Sequence, residues 1–283
     1  MSEQLNPLLE GLKLPGRIFQ LPSRGVFYHN GELDETVKDG EIHVRPMSAI
    51  DEINMKNPDQ LFSGAAVNTV FSTCIKGIKK PSELLSKDVD AIMLFLRAVT
   101  YGSSYEFMAH HNCVTPQVDL EGKPVLGEDG KQVMLKARDY SQIADVDQLI
   151  NSMKMLDPTT IDQMYTVKLP TGQVVKLKPN KYQQVIDLIK SNQSKKAFTV
   201  QDQQDNLITM LLGVIESVEG IKDPQLITEW IRAIPTPMVN RIAEKIENIN
   251  AWGSDLKWTC KCRDCGGEYD VEIPINPVSF FIE

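Results

Sequence analysis

Apolar positions along this chain recur at two periods, and the points where one gives way to the other mark its elements. Before residue 40 neither period is sustained. Leu14-Pro15-Gly16, Leu21-Pro22-Ser23-Arg24-Gly25 and His29-Asn30-Gly31 punctuate that stretch, and Pro and Gly there force turns and oppose helix. Glu41–Pro46 then alternates as a strand, so a small antiparallel sheet opens the domain. Ser48 stands three residues before Asp51, the spacing of a capping box with Asp in the Glu position. That predicts a helix over Ala49–Lys56, which Asn57-Pro58 breaks. A second helix is predicted over Ser63–Ile75, with Ala66, Val70 and Cys74 on one face. A third covers Val89–Thr100, with Ile92, Leu96 and Val99 inward and Gly102 closing it.

Ser104–Ala109 reads as a strand that runs directly into His110-His111-Asn112-Cys113. Between Val114 and Ala137, Glu121-Gly122 and Glu128-Asp129-Gly130 separate β-type runs, the pattern of one or two exposed hairpins. A helix over Val146–Leu156 stops at Asp157-Pro158. Tyr165–Leu169 and Gln173–Leu177 then flank Pro170-Thr171-Gly172 as a hairpin. Four helices follow at Lys181–Ser191, Val200–Val218, Pro224–Ala233 and Thr236–Ile249, two of them started by Pro224 and Pro235. Leu207, Leu211, Val214 and Val218 share a face, read as core rather than as a partner groove. Strands at Asp255–Lys261 and Glu268–Ile273 close the pattern. Beyond them Phe280-Phe281-Ile282 needs a surface to bury against, and packing on the adjoining strands is preferred to docking on a partner.

Charge narrows the function classes. The 283 residues carry 38 acids against 30 bases, a net charge of −8. Such a surface repels phosphate backbones and anionic lipid, so nucleic acid and membrane are poor partners. The basic stretches Lys76–Lys80 and Lys190–Lys196 read as solvated helix ends. No stretch approaches the ~20 apolar residues of a membrane span, and no secretory leader is visible at the N-terminus. With five cysteines, three of them within Cys260–Cys265, the chain lacks the pattern of a disulfide framework. A reducing cytosol is the expected compartment.

Those cysteines carry the candidate chemistry. His110 and Cys113 stand three positions apart, and so do Cys262 and Cys265, which Gly266-Gly267 follows. One imidazole and three thiolates make a closed tetrahedral shell for zinc, with no open position for a reacting water. The expected ligands are therefore His110, Cys113, Cys262 and Cys265, holding a structural zinc; His111 or Cys260 are the alternative donors. Cys74, among apolar helix neighbours, reads as core. No phosphate-binding glycine loop, nucleophile elbow or His-Glu-x-x-His motif is present, so neither catalysis nor a small-molecule substrate is expected.

The runs Leu21–Tyr28, Val44–Glu52 and Leu94–Gly102, the two knuckles and the closing Pro277–Phe281 together resemble the baseplate hub assembly proteins of T-even-like contractile-tailed bacteriophages. The resemblance runs in order from about Leu21 to Phe281. It implies a non-enzymatic hub component, assembly factor or chaperone that contacts other hub or tail proteins, in the host cytoplasm during assembly or in the tail baseplate. This chain has His110 where a cysteine is the commoner choice, and the hairpins of Val114–Ala137 read as its own elaboration. The expected fold class is α+β: a small antiparallel β layer and split zinc-ribbon-like knuckles, with a mostly helical domain inserted between them. The expected division is 1–113, 114–257 and 258–283, the first and last segments forming one ribbon unit. The rival reading is a nucleic-acid-binding zinc-ribbon accessory protein, which the acidic balance and the few cations near the knuckles oppose.

Overall fold

Helix starts follow the local capping chemistry. In the computed structural model, which describes residues 15–57, 60, 64–117, 119, 123–127, 129–136, 139–193, 199–249, 251–275 and 280–281, Ser48 and Asp51 form the expected reciprocal capping box at α1 (Ala49–Met55). Thr199 and Asp202 form a second one at α7 (Val200–Val214). Asp223 accepts the backbone N–H groups of Gln225 and Leu226 and opens α8 (Pro224–Ala233), with Pro224 at its first position. The other helices are α2 (Ala65–Cys74), α3 (Ser86–Tyr101), α4 (Val146–Asn151), α5 (Ile161–Met164), α6 (Tyr182–Gln193) and α9 (Thr236–Ile249). The expected turn residues Leu14, Pro58, Glu121, Gly122 and Glu128, the helix start at Ser63, residues 194–196, Ala137, Pro277 and Ile282 lie outside the described residues.

Small antiparallel sheets complete an α+β fold. β1 (Arg17–Gln20), β2 (Glu41–Val44) and β3 (Ile75–Lys76) form the opening sheet in that order. β4 (Ser104–Ala109) pairs with β7 (Tyr140–Asp145), and β5 (Val114–Pro116) with β6 (Met134–Lys136). β8 (Thr166–Lys168) and β9 (Val174–Leu177) form the expected hairpin, turning at Gly172 in the left-handed region (φ +87°), where its N–H reaches the Leu169 carbonyl. β11 (Lys257–Lys261) pairs with β12 (Glu268–Glu272).

Three predicted elements end early, each because a distant segment takes over the backbone. The helix expected over Val200–Val218 stops at Val214, and Ile215–Val218 is β10, paired with the edge of β9. The helix expected over Val146–Leu156 stops at Asn151. Beyond it Lys154 exchanges backbone hydrogen bonds with Gly253, and the Leu156 N–H reaches the Pro22 carbonyl. Ile75, expected to be helical, joins β3 against Val44. Tertiary pairing outweighs a helix propensity difference of a few tenths of a kcal/mol per residue.

Two apolar cores result. The first gathers side chains from β1, β2, α2, α3, β4, β7 and α4, and adds Cys260, Ile273, Phe280 and Phe281 from the far end of the chain. The second lies within Tyr165–Ile249, between β8–β10 and helices α7–α9. Leu85, Leu156 and Trp252 make a small third cluster, and the Trp252 indole N–H donates to the Tyr165 hydroxyl. Under the first core Asp88 is wholly buried. Its carboxylate accepts the Ser23 N–H (3.0 Å), the Ser23 hydroxyl (2.5 Å) and the Tyr28 hydroxyl (2.6 Å). The irregular Leu21–Tyr28 segment is thus tied to α3 by satisfied polar groups. Phe280 and Phe281 are fully buried: the Phe280 ring meets Tyr105 edge-on, and Arg97 and Tyr101 donate to the two Phe backbone carbonyls.

Candidate metal centre

The C-terminal half of the site is set by the β11–β12 register. Lys261 faces Glu268, which leaves Cys262 to Gly267 as the connecting turn. The Cys262 N–H donates to the Gly267 carbonyl and the Gly266 N–H to the Cys262 carbonyl, both at 2.9 Å. Gly266 takes φ +73°, a conformation that favours glycine. Inside this turn the Cys265 backbone N–H faces the Cys262 sulfur, and His111 and the Asp264 N–H add to it. These donors outweigh desolvation and hold the Cys262 thiol down to about 6. The Gly267 N–H donates to the Cys265 sulfur at 3.4 Å.

The N-terminal half comes from the link between β4 and β5. The Cys113 sulfur lies 3.7 Å from that of Cys262, and His111 Nδ1 lies 3.5 Å from the Cys265 sulfur. All four donor atoms of His111, Cys113, Cys262 and Cys265 lie within 4.8 Å of one another. The His111 ring stacks on Tyr269 of β12, with centroids 4.4 Å apart and planes inclined by 17°. Desolvation, with the neighbouring sulfurs of Cys265 and Cys262, pushes the Cys113 thiol up to about 12. Tyr140, at the start of β7, donates from its hydroxyl to Asp264 at 2.7 Å and lies under the Arg263 guanidinium. It ties the knuckle to the β4–β7 ribbon.

The expected quartet contained His110, and the structure brings His111 instead. His110 turns away: its Nδ1 is 2.6 Å from an Asp139 carboxylate oxygen and its Nε2 is 3.2 Å from the Asn112 side-chain oxygen. That carboxylate raises its pKa. The three-residue spacing suits a tight turn, and Cys262–Cys265 is one. Residues 110–113 lie between β4 and β5, and there the Cys113 N–H donates to the His111 carbonyl at 2.9 Å, a three-residue turn about Asn112 from which His111 and Cys113 meet the cluster together. Cys260 points into the first core, opposite Tyr269 on the ladder. Cys74 is core as expected, and burial pushes its thiol to about 11. Tyr140 and Tyr269 were not singled out in the sequence, because an aromatic on an alternating strand carries no mark of what it faces.

Over residues 30–282 the sequence matches a family described as T4 bacteriophage base plate protein. The chain belongs to that family. No curated protein and no solved structure matches it. It is therefore a phage baseplate-associated protein, and the matched region includes both halves of the Cys/His cluster. No described helix is long and apolar enough to cross a membrane.

The donor set fits a tetrahedral ion. Bond lengths of about 2.3 Å to sulfur and about 2.0–2.1 Å to imidazole nitrogen imply edges of roughly 3.7–3.8 Å between sulfurs and roughly 3.5 Å between sulfur and nitrogen. The Cys113–Cys262 and His111–Cys265 separations are 3.7 and 3.5 Å. A cation there would neutralise three crowded sulfurs, with the Tyr269 ring stacked on the imidazole and the turn N–H groups directed at the sulfurs.

Proposed function

We propose that this baseplate-family protein is a non-enzymatic component or assembly factor of the baseplate hub, working through protein–protein contacts, with a structural zinc ion held by His111, Cys113, Cys262 and Cys265. One observation carries the reading: a chain of this family closes four soft donors on one point. When bound, the ion supplies a cross-link between positions 149 residues apart. Closing so long a loop restricts the unfolded chain, and the binding free energy adds to folding. The chain's own residues prepare that link: β4 and β11 deliver the two halves, Tyr269 stacks on the imidazole, and Tyr140 holds Asp264. The buried residues of the second core all fall within 114–257, with Phe27 packed against them from the N-terminal segment, which supports reading 114–257 as an insertion between the two parts of one ribbon unit.

The hub assignment rests on the resemblance of Leu21–Tyr28, Val44–Glu52 and Leu94–Gly102 to hub assembly proteins. Its expected places are the host cytoplasm during assembly and the tail baseplate. The test is deletion of the gene from the phage. Infected cells should accumulate incomplete baseplates lacking the central hub, and expression from a plasmid should restore them. Normal baseplates in the deletion phage would overturn the assembly role. Metal analysis of protein purified without chelator should give one zinc per chain, and a value near zero would remove the ion from the proposal.

A further inference from the structure

The donors that close on an ion also crowd three thiols together, and thiols have a chemistry of their own. All five cysteines are free, and Cys74 and Cys260 are buried in the first core, away from the cluster. The Cys113 and Cys262 sulfurs lie 3.7 Å apart. A disulfide bond measures about 2.05 Å, so these two sulfurs must close by roughly 1.7 Å to bond. The Cys265 sulfur is taken up by His111 Nδ1 at 3.5 Å and by the Gly267 N–H at 3.4 Å. Turn N–H groups thus face the Cys262 and Cys265 sulfurs, whereas that of Cys113 meets only other sulfurs among the described residues. Cys262 is buried and Cys113 half-buried, so of this pair Cys113 is the one that a solute reaches.

We propose that Cys113 and Cys262 form an oxidation site for hydroperoxides, at which a disulfide takes the place of the ion. The Cys113 sulfur attacks the hydroperoxide: the O–O bond breaks, one oxygen stays on sulfur as a sulfenic acid, and the other leaves as water or an alcohol. The Cys262 sulfur then attacks that of Cys113. The S–S bond forms, the S–O bond breaks, and the departing hydroxide takes up a proton as water. Two thiols are oxidised and one hydroperoxide is reduced. Only His111 and Cys265 of the four donors then remain, too few to hold a tetrahedral ion, so the metal leaves. The link across 149 residues is kept in covalent form. A reducing cytosol favours the metal form, and a particle outside its host is exposed to the oxidised one. This inference rests on the zinc reading above for the state that the disulfide replaces.

The test uses the full chain, purified without chelator, and hydrogen peroxide as the oxidant. Zinc release is followed with a chromogenic chelator, and the products are mapped by mass spectrometry after digestion without reductant. The expected result is release of the bound zinc in step with one peptide pair joining Cys113 to Cys262, both reversed by a phosphine reductant and added zinc. The metal-free oxidised chain should melt above the metal-free reduced one, because a cross-link over so long a loop restricts the unfolded chain. Cys265→Ser, stripped of metal and oxidised, should still form the link. A Cys262–Cys265 bond, a bond between chains, or sulfinic acid in place of any link overturns the inference, and the wild-type map alone decides this if the variant does not fold. Protein that carries no zinc as purified yet forms the Cys113–Cys262 link overturns the zinc reading and supports the oxidation site. Zinc-bound protein whose sulfurs never join overturns the oxidation site alone.

Discussion

The Cys113 and Cys262 sulfurs lie 3.7 Å apart although 149 residues separate them in the chain. His111 completes the arrangement from one side and Cys265 from the other. The neighbouring His110 is held by Asp139 outside it. This geometry separates two adjacent histidines by function and makes the assignment testable.

His111→Ala should reduce zinc content well below one per chain and lower the melting temperature, since structural zinc contributes directly to folding. His110→Ala should retain the metal and melt close to wild type, because an exposed pair of this kind contributes little. Cys74→Ser should also retain it, its thiol lying in the core. Metal analysis and calorimetry, with and without a strong chelator, check all three. Equal metal loss in the two histidine variants would count against the His111 assignment.

Phe280 is wholly buried against Tyr105 and Phe281. Its replacement by alanine should cost about 3–5 kcal/mol, the usual range for a buried aromatic. Deleting Ser279–Glu283 should destabilise the isolated protein at least as much. Urea unfolding of the purified variants measures this. A truncated chain that melts normally yet no longer supports phage growth would mark the segment as a binding site instead.

Burial raises Asp90 from an ordinary carboxylate value of 3.8 to about 6, with Asp88 and Glu272 adding to the shift and Lys87 opposing it. Between those values the folded chain holds a proton that the unfolded chain has lost. Stability should therefore fall as pH rises from about 4 to about 6 and level off above. Asp34, held at about 2 mainly by the Thr36 N–H, acts in the opposite sense: its contribution is present above the ordinary value and is lost as pH falls from about 4 towards 2. Asp90→Asn should flatten the slope between pH 4 and 6 and raise stability at pH 7. Urea midpoints measured across that range test the sign, and an unchanged slope in the variant would exclude Asp90 as its source.

Nucleic acid should not be retained. A gel-shift assay at low salt, where phosphate attraction is strongest, should show free DNA throughout. Salt-sensitive retardation of duplex or single strands would favour the zinc-ribbon accessory reading over hub assembly.

Local chemistry by itself determined much of this protein. The alternation of Ser104–Ala109 became β4 with its predicted bounds, and the proline-started segment Pro224–Ala233 and the following Thr236–Ile249 became α8 and α9. The Ser48–Asp51 spacing, the Gly172 turn and the Cys262–Cys265 knuckle depend on side chains and backbone within a few residues, so they are legible in the chain. Tertiary structure decided the rest. Ile215–Val218 reads as helix, yet it lies beside the open edge of β9, whose backbone groups it satisfies. His111 and His110 are the same residue type one position apart. Which of them meets the sulfurs depends on the side from which β4 enters the site and on Tyr269, from the other end of the chain, offering a ring to stack on.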